Sequence, residues 1–172
     1  MTASVESLLQ KALALPGASF VVYRRGLLVE FQTDKLTSGL SRWEEEGHIS
    51  WQVNGFEDHH CHVDLASIER VQFDAEPVGC QGGRLNFTAW FLAGEDTGNP
   101  YRPRAAFSIT LNRPYEPDGT PRLQVLGPLV QLFEEVRGLP FVEATEAFLG
   151  GARGLGAYPA VEKERVAPSS QE

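Results

Sequence analysis

Between Ser19 and Leu111 the chain passes through one apolar, β-rich stretch after another, and no helical stretch separates them. Parallel neighbours need long crossovers, usually helices, so strands joined this way pair antiparallel. Ser19 to Tyr23 and Leu27 to Phe31 flank a short Gly-containing turn and read as a hairpin. Ile49, Trp51 and Val53 alternate with polar residues ahead of Asn54-Gly55, the pair preferred in a two-residue hairpin turn. Ala66 to Phe73, Arg84 to Leu92 and Arg104 to Leu111 are further strands. Thr33 to Gly47, with Gly39, Trp43 and the Glu44-Glu45-Glu46 run, reads as a loop, as do Pro77 to Gly83, Ala93 to Pro103 and Asn112 to Pro121.

Helical spacing appears only at the two ends. Val5, Leu8, Leu9, Ala12 and Leu13 share one face of a helix stopped by Pro16-Gly17. Leu123, Leu126, Leu129, Val130, Phe133 and Val136 mark a second, with Pro128 in its first turns and Gly138 at its end. Phe141 to Leu149 is a short helix or an extended strap. The expected class is α+β, an antiparallel sheet of about seven to nine strands flanked by N- and C-terminal helices. A single domain is expected over residues 1–149. A Gly-, Pro- and Ser-rich tail weakly held by the core follows over 150–172.

Composition excludes several function classes. The 172 residues carry a formal charge of −8, unsuited to nucleic acid or to an anionic lipid surface. No apolar run reaches the length of a membrane span, and residues 1–6 lack the features of a signal peptide. Two cysteines, Cys61 and Cys80, are too few for a disulfide framework, so a reducing cytoplasm is expected.

All four histidines fall within fifteen residues: His48, then His59, His60 and His62 in the run Asp58 to Asp64. Histidine is the side chain most used for proton transfer near neutral pH and for binding metals. A two-residue turn at Asn54-Gly55 sets Val53 against Phe56, Trp51 against Asp58 and Ile49 against His60. His60, His62 and Asp64 then share the face of Ile49, Trp51 and Val53, while His59, Cys61 and Val63 point away. A one-residue bulge would exchange the two sets. One reading is a metal-dependent, cupin-like enzyme using His60, His62 and either His48 or Asp64. Glu69, however, lies too far along for the cupin pattern. Cys61 between two histidines reads as an inert thiol, because strand neighbours face opposite ways. A third reading is an interaction module with surface histidines.

From about Ala18 to Leu139 the chain resembles the haem-utilisation proteins of the HemS/ChuX family. The pieces that match are Val21-Val22-Tyr23 through Phe31, the Ile49-to-Val63 hairpin, Ile68 to Phe73, and Trp90-Phe91-Leu92 with Ala106 to Ile109 and the closing helix. The resemblance implies a haem-binding, cytoplasmic carrier or store without turnover. It implies a homodimer, with hand-over to a haem-receiving enzyme. It places the iron on His59 or His60, and the register read from Asn54-Gly55 adds His62 and Trp51 to the candidate haem-binding residues. Single-unit relatives carry a second histidine in the first strand, where this chain has Tyr23; tyrosinate also ligates ferric haem. Arg24 and Arg25 then serve the propionates, with Arg84, Arg102 and Arg104 as further cations.

Overall fold

The computed structural model describes residues 4–36, 39–55, 59–78 and 82–158. Helix α1 (Val5–Leu13) is capped by Ser4, whose hydroxyl accepts the Ser7 N–H at 3.2 Å, and it buries Leu8, Leu9, Ala12 and Leu13. Strands β1 (Ala18–Arg24) and β2 (Leu27–Gln32) form the expected hairpin. Gly26 at its tip has φ 82°, in the region glycine tolerates without strain. A 3-10 turn, Thr33–Lys35, leads on, and the buried Thr33 hydroxyl donates to the Leu15 and Ala18 carbonyls.

The stretch expected as a loop after Thr33 instead contains strand β3 (Gly39–Glu45), paired with β4 (His48–Asn54) and through it with β5 (His60–Val63). Strand propensity is weak there, and the pairing with β4 supplies what the local sequence lacks. The main sheet contains β6 (Ile68–Val78), β7 (Arg84–Ala93), β8 (Ala105–Leu111) and β9 (Val142–Ala144), in the order β2-β1-β8-β7-β6-β9. Its pairs are antiparallel except β9, which runs parallel to β6. Helix α2 (Leu123–Val136) matches its predicted span, and α3 (Glu146–Gly154) follows β9.

Alternation sorts the main sheet into two faces. Phe20, Phe73, Ala75, Phe87, Phe91, Phe107 and Ile109 are almost wholly buried on the inner face. Phe133 of α2 packs tilted and Phe148 of α3 edge-on against Phe73, with ring centroids 5.2 and 5.5 Å away. Val53 and Val63 of the small sheet belong to the same core. The outer face carries Ser19, Glu30, Gln72, Asp74, Thr88, Trp90, Ser108 and Thr110. The domain boundary drawn at Leu149 falls inside α3, whose Ala152 is buried and whose Gly151 abuts Leu85 and Phe87. Apolar contact with β7 carries the packed part past it.

Candidate functional site

The histidine strand does not follow a two-residue turn. Asn54 pairs with His60, Val53 with Cys61, Gln52 with His62 and Trp51 with Val63, so the connection runs from Gly55 to His59. The expected partners Phe56 and Asp58 lie outside the described residues. Gly55 does not adopt the left-handed φ of a type I′ turn; its N–H donates to the His59 carbonyl at 2.6 Å. A Cβ at Gly55 would lie 3.0 Å from that oxygen and from the Phe31 ring, so close approach is what requires glycine here. The odd shift in register exchanges the two faces of β5. Cys61 and Val63 turn inward with Trp51 and Val53, while His60 and His62 turn outward with Ser50, Gln52 and Asn54. The physical reason is burial. The expected pairing would have set two imidazoles on the core face and left Val63 outside; Val63 is 7% exposed.

On the outer face Trp43, His62 and His60 form a ladder. The Trp43 and His62 rings lie 4.9 Å apart edge-on, and His60 and His62 lie 5.2 Å apart. Ser50 Oγ is 3.1 Å from His62 Nδ1. Asp64 accepts the Ala66 N–H at 3.0 Å and caps the 3-10 turn Leu65–Ser67. The His48 side chain lies outside the described residues. Among the described residues no three His, Cys, Asp or Glu groups gather as a metal site, so Asp64 does not complete one with His60 and His62. Burial raises the pKa of the half-buried Cys61 thiol and keeps it protonated. Cys80 lies outside the described residues.

His59 sits differently. It lines a cleft of about 390 Å³ with Glu30, Phe31, Gln32, Lys35, Leu36 and Gly55, between the end of β2 and the start of β5. One imidazole, the apolar Phe31 and Leu36, and the Lys35 ammonium suit an iron porphyrin with an anionic edge. Lys35 carried no sequence signal, because only the 3-10 turn brings it to His59.

The remaining predicted residues lie elsewhere. Tyr23 is on the outer face of β1, its ring 5.0 Å from that of Tyr101. The hydrogen bond between the two phenols raises the Tyr23 pKa, which disfavours the tyrosinate a ferric iron would need. Arg24 donates to the Thr97 carbonyl, and the Arg25 N–H to that of Gly98 at 3.1 Å. Both residues thereby anchor the loop before β8. Trp51 packs against the core. Arg102 bonds Gln72, Asp74 and Glu76 and covers the Trp90 ring at 4.9 Å, and Arg104 pairs with Glu69 at 2.8 Å.

No family model matches the chain, and no curated protein matches it in sequence. Solved structures do, and they define the class as an α+β fold already seen in bacteria. The crystal structure of protein AGR_C_4470 from Agrobacterium tumefaciens aligns with a TM-score of 0.51 at 14% identity. The match covers 77% of this chain and 65% of that one, so the chain spans less than two thirds of its length. At that identity the likeness establishes the fold alone. The structure of the haem-binding protein ChuX aligns with a TM-score of 0.49 at 12% identity, over 78% of this chain and 70% of that one. No helix among the described residues is long and apolar enough to cross a membrane.

Proposed function

We propose that the protein binds haem with His59 as the iron ligand and Lys35 as the partner of a propionate. It acts as an intracellular carrier or store that hands haem on without turning it over. One observation carries this reading: His59 lines a cleft that also presents the apolar Phe31 and Leu36 and the Lys35 ammonium. His60 and His62 stand on the exposed face of the small sheet and take no part in this reading. A porphyrin is larger than the cleft, so one chain sheathes only an edge of the ring. A second copy covering the rest makes the homodimer part of the same proposal.

Titration with ferric haem tests it. The expected outcome is a Soret shift saturating at one haem per chain or per dimer. His59→Ala abolishes the shift, whereas His60→Ala and His62→Ala leave it in place. Light scattering should report two chains per particle in the haem-loaded protein. Absence of a shift at micromolar haem, or its persistence in His59→Ala, sinks the assignment.

A further inference from the structure

A second cleft, of about 650 Å³, opens at the far end of the outer sheet face, away from the histidines. Gly82, Arg84, Arg113, Tyr115, Glu116, Pro117 and Arg122 line it. Three guanidiniums in one cleft are unexpected on a chain with a formal charge of −8. The segment from Arg113 to Arg122 folds back on itself: Tyr115 bridges Pro121, and the Arg122 N–H donates to the Pro114 carbonyl at 2.8 Å. Arg84 reaches across from β7, with its guanidinium carbon 5.7 Å from the Tyr115 ring centroid. Its Nη2 would be 2.7 Å from any Cβ at Gly119, so the loop is shaped around this cation.

The carboxylates nearby neutralise these cations only in part: Arg84 attracts the Asp118 carboxylate, and Glu116 lies beside Arg122. Asp118 is held by its own loop, accepting the Thr120 N–H at 2.8 Å, and does not line the cleft. Glu116 does, and its Oε1 lies 3.3 Å from Arg122 Nε. Yet that Nε–H is buried and finds no hydrogen-bond acceptor among the described residues, so the pair is close without being aligned. Among the described residues that line the cleft, three guanidiniums stand against one carboxylate, so positive charge is in excess. The Arg122 guanidinium donates from Nη1 to the Arg113 carbonyl at 3.3 Å, which fixes it at the cleft wall.

We propose that this cleft binds the phosphoryl group of a small phosphate monoester. A phosphoryl group carries about −1.5 to −2 charges at neutral pH and three acceptor oxygens, which suits an excess of positive charge and three guanidinium forks. A carboxylate has half the charge and one oxygen fewer. Tyr115 and Pro117 offer an apolar wall to the rest of the ester, and the volume suits a small molecule.

Calorimetric titration of the haem-free protein at low ionic strength, with phenyl phosphate and with benzoate, tests this. Saturable phenyl phosphate binding is expected, at least about tenfold tighter than benzoate and weakened by added salt. Arg84→Gln and Arg113→Gly should each weaken it at least about tenfold. Arg113 has φ 49°, which glycine adopts freely, so Arg113→Gly removes the cation while keeping or raising the melting temperature. His59→Ala should bind phenyl phosphate as the parent does, which separates this site from the haem reading. Absent saturation, unchanged affinity in both arginine variants, or benzoate binding as tightly as phenyl phosphate overturns the proposal.

Discussion

Replacing Asp74 with alanine should destabilise the protein strongly at neutral pH and less in acid. Asp74 is 5% exposed on the outer face of β6. Its carboxylate accepts the Thr145 hydroxyl at 2.6 Å, the Ala75 N–H at 2.9 Å and an Arg102 N–H. Thr145 is the N-cap of α3, so this one side chain ties β6 to the last helix and to the loop before β8. Breaking a buried ion pair costs about 3–5 kcal/mol. Here Arg102 keeps Glu76 and Gln72 as partners and its side chain is 22% exposed, which argues for about 2–3 kcal/mol. In a domain of this size that corresponds to a melting temperature lower by about 5–10 °C.

Burial alone would raise the Asp74 pKa, but the bonds from Thr145, Arg102 and Ala75 outweigh it and hold it below the ordinary value of 3.8. A carboxylate depressed in the folded state contributes stability above its unfolded pKa and loses it as pH falls through the folded one. Urea unfolding of the parent and Asp74→Ala near pH 7 and again in strong acid measures both parts. The stability gap should be wider at pH 7 than below the ordinary Asp range. A gap that persists undiminished in acid, or an unchanged midpoint at pH 7, refutes the reasoning.

Two further outcomes follow from packing. Gly151→Ala should lower stability by about 1–2 kcal/mol in urea unfolding, although alanine is the better helix former. The added methyl would sit 2.7 Å from Leu85 Cδ1 and 3.3 Å from the Phe87 ring, so Leu85 must leave its rotamer or α3 must move off β7 to admit it. Cys61 should react slowly with a thiol reagent at neutral pH and rapidly once the chain is unfolded, because burial raises its pKa in the folded state. Rapid labelling of the folded protein would show that β5 opens readily.

The chain alone made legible the elements whose side chains declare a period. Apolar residues of α1 and α2 recur at helical spacing, and the strands of the β1–β2 hairpin, β6, β7 and β8 are dense in β-formers. Local chemistry settles such elements before any partner is met. It also concentrated attention on the histidine run, where His59 lies. Strand β3 escaped notice because its polar, acidic sequence forms a strand only against β4, and β9 because three residues carry no period of their own.

Register and proximity were decided by the tertiary structure. Asn54-Gly55 carries a strong local signal for a tight turn, but Val53 and Val63 must both reach the core, and burying them overrode it. That one choice turned His60 and His62 out to solvent. The Lys35–His59 cleft joins β2, a 3-10 turn and β5, and the arginine cleft joins β7 to a loop nearly thirty residues further along. A sequence records which side chains are present. Which of them meet across such distances depends on how the whole chain packs its apolar residues, and no local stretch contains that information.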